Sequence, residues 1–146
     1  MTREPPDSTI LHGAAVAIAG RGVLILGASG AGKSALALAL IGRGASLVAD
    51  DRVILERRGD AVIARAPEPL AGLIEARGFG LLRLPAMPEA ALALAVDLDR
   101  PPAARMPQSV TITLLGREME LICGRGLPNI DVVVNIFVQN GRAFPD

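Results

Sequence analysis

The sequence predicts an α/β protein in which a mixed β-sheet with hairpins and few helices surrounds a glycine-rich loop. First, the apolar run 22–26 is followed by a glycine-rich octapeptide and then by the helix-favouring segment 35–41. Second, much of the remaining chain consists of short apolar runs separated by charged or glycine turns, which is typical of hairpins. With 146 residues, the chain is predicted to form a single domain at 9–146, after a flexible leader at 1–8.

The octapeptide 27–34 fits the pattern G-x-x-x-x-G-K-[ST] of a phosphate-binding P-loop. Its glycines allow successive backbone N–H groups to turn toward phosphates, and the N-terminus of the following helix adds partial positive charge. Lys33 is expected to reach the β- and γ-phosphates, and Ser34 to offer its hydroxyl to Mg²⁺. The predicted nucleotide-binding residues are Gly27, Ala28, Ser29, Gly30, Ala31, Gly32, Lys33 and Ser34.

Composition argues against several classes of partner and site. Lys and Arg together number 15, as do Asp and Glu, so no net field attracts nucleic acid or anionic lipid. Aromatic residues make up 2% of the chain and include no Trp or Tyr, which leaves few rings for base stacking. Cys123 is the single cysteine, so neither an intramolecular disulfide nor a cysteine-based zinc site is possible. It is predicted to be a small buried apolar residue.

The N-terminal region and the apolar runs predict a cytoplasmic protein. Residues 1–7 are polar and contain two prolines, unlike a signal peptide. No apolar run approaches the roughly 18 residues of a membrane span. Hydrophobic residues nevertheless make up 51% of the chain, more than one small domain is expected to bury, so self-association is expected.

Two strands are predicted before the P-loop. Residues 10–18 are predicted to form one strand, which turns at 19–22 into the strand that leads to the loop. If these two strands pair antiparallel, His12 could lie beside the P-loop.

Two adjacent acids, Asp50 and Asp51, follow the buried strand predicted at 45–49. Open α/β sheets bind their ligands outside the carboxyl ends of their strands, so both side chains are well placed for chemistry. One carboxylate could hold Mg²⁺, directly or through water, and the other could accept a proton from an attacking hydroxyl. The structural alternative is a solvated turn that caps the strand.

Further strands are predicted along the rest of the chain. Hairpins are predicted at 53–66 and 110–122, where apolar runs flank a charged or glycine turn. The segment 85–102 is ambiguous. Residues 89–99 could begin as a helix, but alternating leucine and valine favour a short turn followed by a strand.

Three segments give weaker signals. The stretch between 70 and 85 is interpreted as a loop between strands, with a carboxylate, a guanidinium and two glycines in a few residues. Residues 101–107 are predicted to form a surface connection and are the best candidate for local mobility. Residues 129–138 are rich in β-forming residues, although Asn129 could cap a helix.

The order of these motifs resembles the catalytic domain of the HPr kinase/phosphorylase family, which phosphorylates a serine of the phosphocarrier HPr. His12-Gly13 precedes the P-loop, and residues 47–51 are close to the family's leucine-valine-alanine-aspartate-aspartate strand end. Residues 75–82 are similar to its glutamate-x-arginine-glycine-leucine-glycine-isoleucine-isoleucine signature, and Gly124-Arg125 to its proline-glycine-arginine-asparagine. The resemblance covers about residues 10–138.

This resemblance implies a role for each candidate catalytic residue. Asp51 would act as the base that takes the serine proton, and as the acid in the reverse reaction. His12 would support Asp51 or the incoming phosphate. Arg125 would stabilise charge on the transferred phosphoryl group, together with Lys33 and Mg²⁺.

The resemblance also implies ligands and partners. Ser34 and Glu75 would hold Mg²⁺, for which Asp50 is the third predicted ligand. ATP would be the phosphoryl donor, an HPr-like phosphocarrier the protein partner and a hexamer the assembly, and residues 129–138 would form a helix. The chain is expected to be a short form without the family's N-terminal domain, which leaves the phosphorylase reaction open.

The predicted function is that of an ATP-dependent protein serine kinase acting on an HPr-like phosphocarrier. One alternative is a nucleotide-sensing P-loop module that transfers nothing. The other is a small-molecule P-loop kinase, which the lack of an arginine-rich lid segment disfavours.

Overall fold

A computed structural model describes residues 7–143 of the protein. Within this range the chain forms a mixed sheet, a separate hairpin, two α-helices and one 3₁₀ turn at Glu68–Leu70. The strands are β1 (Ser8–His12), β2 (Ala14–Ile18), β3 (Arg21–Leu26), β4 (Ser46–Ala49), β5 (Arg52–Arg58), β6 (Ala61–Arg65), β7 (Leu73–Ala76), β8 (Gly80–Arg83), β9 (Ala90–Asp97), β10 (Val110–Leu114) and β11 (Arg117–Cys123), and the helices are α1 (Lys33–Gly42) and α2 (Ile130–Asn140).

The topology of the sheet brings two loops to one edge. Its strand order is β1-β5-β6-β9-β3-β2-β4, with β10 and β11 joined to β9 through β11. Strand β2 is antiparallel to both β3 and β4, so β3 and β4 run in the same direction. The P-loop follows β3 and the two adjacent acids follow β4, so both start from the same edge of the sheet.

Apolar side chains cover the centre of the sheet on both faces, as a buried sheet requires. Along β2, Ala14, Val16 and Ile18 face one core cluster, and Ala15 and Ala17 face the other. The first cluster contains the buried faces of both helices, and the second contains residues of β5, β6 and β11. The period of two in strand side chains therefore divides the core into two layers.

The predicted strand at 10–18 is wrong in one respect, because it is two strands separated by Gly13. Strand β1 pairs with β5, whereas β2 pairs with β3 and β4. The chain has to change neighbours at Gly13, and a Cβ atom there would lie 2.9 Å from the carbonyl oxygen of Ile25. Only glycine allows the two backbones to approach this closely.

The loop predicted between 70 and 85 is also wrong, because this segment contains the antiparallel hairpin of β7 and β8. The hairpin is separate from the main sheet, and it packs through Ile74, which is completely buried in the cluster that includes α1. Short strands with charged and glycine residues give little sequence signal. Tertiary contacts fix the hairpin instead, through Ile74 and the partly buried Leu82 and Leu84 in the core and through the hydrogen bond of Glu75 N–H to Asp50.

The predicted leader at 1–8 extends too far. Residues 1–6 lie outside the described residues, but Ser8 belongs to β1 and the carbonyl of Asp7 accepts a hydrogen bond from Arg57 N–H. The strand ladder therefore begins inside the predicted leader. The single domain at 9–146 stays a prediction.

Most other predicted elements are confirmed. Helix α1 follows the P-loop, and β5–β6, β9 and β10–β11 form the predicted hairpins and strand. No helix or strand occurs in the connection 101–107, whose mobility stays a prediction. Cys123 has a free thiol but is only half-buried. Neither helix within the described part of the chain is long and apolar enough to cross a membrane.

Helix α2 forms although its sequence is rich in β-branched residues. Val134 and Val138 are buried against the sheet, and this packing outweighs their weak helix propensity. Asn129 precedes the helix in a left-handed conformation, but its side chain makes no capping hydrogen bond. Arg43 Nε instead donates to Asp131 Oδ2 at 2.7 Å, which lowers the pKa of that carboxyl and links the end of α1 to the first turn of α2.

Two adjacent valines of α2 test this packing. Val134 is completely buried, whereas Val133 is 40% exposed. We expect Val134→Ala to lower the free energy of unfolding by about 2 kcal/mol, because it removes buried methyl groups and leaves a cavity. Val133→Ala is the matched control and should change it by less than about 0.5 kcal/mol. Urea unfolding measures both, and equal effects would contradict the packing of α2.

Candidate active site

The P-loop takes the conformation that its glycines predict. Gly30 and Gly32 have φ angles of 85° and 101°, a range that residues with a Cβ atom rarely adopt. Gly32 precedes α1, and its carbonyl accepts the first helical hydrogen bond from Leu36 N–H at 2.9 Å. The loop therefore leads directly into the N-terminus of α1, where backbone N–H groups are available to an anion.

Lys33 lies folded back over the start of the loop. Its Nζ donates to the carbonyl oxygens of Gly27 at 2.8 Å and Ala28 at 3.0 Å, and the residue is only 8% exposed. These two carbonyls hold the ammonium group at the loop that a phosphate would enter. The predicted role of Lys33 toward the phosphates stays a prediction.

Asp50 is a buried carboxylate with both oxygens hydrogen-bonded. Its Oδ1 accepts from Ser34 Oγ at 2.7 Å, and its Oδ2 accepts from the backbone N–H of Glu75 at 3.0 Å. The residue is 6% exposed, so for Asp50 the alternative of a solvated turn is wrong. A hydroxyl beside a carboxylate at the start of a P-loop helix is a donor set that suits Mg²⁺.

Asp51 differs from its neighbour in conformation and exposure. Its φ is 70°, and Arg52 N–H donates to the carbonyl of Asp50 at 2.8 Å. Asp51 is therefore the central residue of a γ-turn of the rare type with positive φ. This conformation is strained for a residue with a side chain, and such strain is concentrated at functional sites. The turn directs the Asp51 side chain outward, where it is 61% exposed.

His12 contacts Asp51 through the pairing of β1 with β5. His12 lies opposite Arg52 in that ladder, and its Nε2 is 3.0 Å from Asp51 Oδ1. An ionised carboxylate only accepts, so the hydrogen bond requires a proton on Nε2. Gly13 N–H adds a bond to the Asp51 carbonyl at 3.2 Å. His12 therefore reaches the site from a different strand pairing than the predicted one.

Glu75 and Arg125 lie near the P-loop with weaker links to it. Glu75 is bound to Asp50 through its backbone, while its carboxylate is exposed. Arg125 follows β11 and lines a depression of about 450 Å³ with Ala31 and Gly32. No three His, Cys, Asp or Glu side chains between residues 7 and 143 form a group able to hold a metal alone. Mg²⁺ commonly uses one or two carboxylates and completes its shell with substrate phosphate oxygens and waters.

Sequence reasoning missed Asp99. It follows β9, and its carboxylate accepts a hydrogen bond from the P-loop amide of Ala28, with N···O distances of 2.9 and 3.1 Å. The only sequence signal was an acid just beyond a strand. The parallel pairing of β9 with β3, which makes that position important, was not evident from the sequence.

Comparison with known proteins identifies similar sequences. The family described as HPr Serine kinase C-terminal domain matches residues 5–91. HPr kinase/phosphorylase from Acidovorax sp. (strain JS42) is 39% identical over 92% of this chain and 47% of its own length. The protein of the same name from Burkholderia lata is 39% identical over 96% of this chain and 48% of its own length. The chain thus spans about half the length of these curated relatives.

A solved structure has the same fold. The HPr(Ser) kinase/phosphatase from Coxiella burnetii matches with a TM-score of 0.78 and 27% sequence identity. The match covers 90% of this chain and 95% of that chain. The likeness therefore covers most of this chain, and the predicted mixed α/β fold is confirmed.

Substitution of Gly13 tests how the His12–Asp51 contact is built. We expect Gly13→Ala to lower the free energy of unfolding by about 1–3 kcal/mol, because the new methyl group overlaps the Ile25 carbonyl. The shift of β1 against β2 should also change the NMR shifts of the imidazole of His12, the only histidine. Gly42→Ala is the control, since a Cβ at Gly42 meets nothing within 4 Å. Wild-type stability and unchanged imidazole shifts in Gly13→Ala would contradict this account.

Proposed function

The chain belongs to the HPr serine kinase C-terminal domain family, and on this premise we propose that it is an ATP-dependent protein serine kinase for an HPr-like phosphocarrier. The observation that carries the proposal is the pair of aspartates beyond β4. One is buried against the P-loop serine, and the other is exposed and hydrogen-bonded to a histidine. A kinase of this kind needs both an acid that helps hold the metal and a base that meets the acceptor hydroxyl.

Asp51 is the proposed base because it is the accessible carboxylate. Its Oδ1 is bound to His12, and among residues 7–143 the Oδ2 atom has a single charged neighbour, Arg52 Nε at 3.9 Å. As the serine oxygen bonds to the γ-phosphorus and the bond to the leaving ADP oxygen breaks, Asp51 takes the serine proton. His12 orients the carboxylate and keeps its charge available. Asp50 is not free for this task, because both of its oxygens are occupied.

The P-loop and its neighbours are proposed to bind the phosphates of ATP. The amides of the loop other than that of Ala28, which is bonded to Asp99, would hold the phosphate oxygens together with Lys33. Arg125, which lines the same depression as Ala31 and Gly32, would add positive charge. Ser34, Asp50 and Glu75 would hold Mg²⁺, which neutralises charge on the β- and γ-phosphates when bound. The hydrogen bonds between these groups support the assignment for Ser34 and Asp50, and the backbone contact supports it for Glu75.

The proposal extends to location, assembly and reversibility. A cytoplasmic location suits a kinase of a phosphocarrier. Exposed apolar side chains, including Ile10 and Ile136, suit a homo-oligomer. The family resemblance implies that this oligomer is a hexamer. In the reverse reaction a protonated Asp51 would return the proton to the serine oxygen, so the same residue serves both directions.

The decisive variant is Asp51→Asn. With ATP, Mg²⁺ and an HPr-like carrier, we expect the wild type to produce phosphoserine and the variant to lose about 10²–10⁴-fold in rate, because the general base is gone. Nucleotide affinity should stay unchanged, since Asp51 makes no contact with the P-loop in the proposed complex. Mass spectrometry of the carrier and calorimetric titration with ATP measure the two quantities. Asp60→Asn, whose side chain is 94% exposed, is the control.

Three outcomes would change this assignment. Full activity of Asp51→Asn would show that another group takes the proton. Tight ATP binding by the wild type without transfer to any carrier would favour the nucleotide-sensing module. Transfer to a metabolite rather than to a protein would favour a small-molecule kinase.

A further inference from the structure

We propose that Asp99 is a positioning residue of the P-loop, which orients Lys33 through the peptide unit between Gly27 and Ala28. The carbonyl of this unit accepts from Lys33 Nζ at 2.8 Å. The N–H of the same unit donates to the Asp99 carboxylate at 2.9 Å. One peptide group thus lies between an ammonium and a carboxylate.

This arrangement is electrostatically favourable at both ends. A peptide group is planar, so fixing its N–H also fixes the direction of its carbonyl. Its dipole has the negative oxygen toward Lys33 and the positive hydrogen toward Asp99, and hydrogen bonds to charged groups are the stronger ones. Each contact polarises the peptide in the sense that strengthens the other. Asp99 therefore acts on Lys33 without contacting it.

Asp99 is itself held by the sheet rather than by the loop. Leu98 N–H donates to the carbonyl of Leu26 at 2.9 Å, which continues the pairing of β9 with β3 beyond the end of β9. Asp99 N–H donates to Asp97 Oδ1, also at 2.9 Å. A Cβ atom at Gly27 would lie 3.2 Å from Leu98 Cβ, so the two backbones pass close together. The backbone that carries the exposed Asp99 carboxylate is therefore fixed to the sheet.

The same segment also supports the turn that carries Arg125. The carbonyl of Asp97 accepts from Gly124 N–H at 2.9 Å, and the carbonyl of Arg100 accepts from Arg125 N–H at 3.0 Å. Residues 97–100 therefore act on two proposed phosphate-binding cations. Asp99 orients the side chain of Lys33 through the Gly27–Ala28 peptide, and the carbonyls of Asp97 and Arg100 hold the backbone at Arg125. A positioning role explains why a carboxylate lies beside a loop built for anions, where its own charge would otherwise oppose binding.

The first test needs no nucleotide. Lys33 is the only lysine of the chain, so labelling with ¹⁵N-lysine gives a single side-chain ammonium signal. We expect this signal in the wild type, because hydrogen bonds to two carbonyls protect the group from exchange with water. Asp99→Ala should broaden or remove it, and Asp99→Asn, which keeps an oxygen acceptor for Ala28 N–H, should restore it. Asp60→Ala controls for the loss of one acidic group and should leave the signal unchanged.

The second test rests on the proposed function. Titration with a non-hydrolysable ATP analogue should show about tenfold weaker binding for Asp99→Ala, since the loss of one charged hydrogen bond and the freed peptide loosen the lysine. Asp99→Asn should recover most of the affinity. Asp99→Leu, of similar size, replaces Asp99→Ala if circular dichroism shows that the alanine variant does not fold.

The outcomes separate this proposal from the proposed function. An unchanged ammonium signal in the folded Asp99→Ala or Asp99→Leu variant would overturn the positioning role, whatever its affinity for nucleotide. If Asp99 had a purely structural role, its substitution would lower stability but leave the ammonium signal in place. Loss of the ammonium signal in a folded variant would therefore exclude a purely structural role. If the wild type binds no nucleotide, the kinase proposal fails, and the ammonium signal alone then decides the role of Asp99.

Discussion

The rest of the site depends on one buried carboxylate. Asp50 lies at the end of β4 with almost no exposure to solvent, where an ionised group is costly unless its oxygens are hydrogen-bonded. Ser34 satisfies one oxygen from the start of α1, and the backbone of Glu75 satisfies the other from β7. The cost of an unpaired charge thus locks the P-loop helix, the sheet edge and the separate hairpin into one arrangement.

That arrangement places two neighbouring residues of the same type in different environments. The γ-turn at Asp51 points its carboxylate away from that of Asp50. The Asp50 carboxylate is buried and hydrogen-bonded through both oxygens, whereas the Asp51 side chain is exposed. Its side chain accepts a hydrogen bond from His12, which lies on a strand that pairs with β5 rather than with β3 or β4. Local strain in the backbone is therefore what separates a group suited to a metal from one suited to a proton.

Charges in the site are held through backbone as much as by direct contact. The Gly27–Ala28 peptide lies between the ammonium of Lys33 and the carboxylate of Asp99. The carboxylate of Asp50 likewise contacts Glu75 through the Glu75 backbone N–H. Every residue except proline carries the same backbone N–H and carbonyl groups, so the sequence does not show which of them bind a charged side chain. These contacts also explain how residues from β4, β7 and β9 are coordinated around a loop that follows β3.

The sequence by itself determined the P-loop, the strand-end aspartates and most strands, because these features depend on neighbours within a few residues. It also indicated Ser34, Lys33 and the acids as candidates. The helix at 129–138, which the family resemblance implied, is confirmed as α2. Only the tertiary structure decided the break at Gly13, the β7–β8 hairpin and the contact of Asp99 with the P-loop. Each of these depends on a partner far along the chain, such as Ile25, α1 or Ala28, and no local pattern records which distant segments will meet.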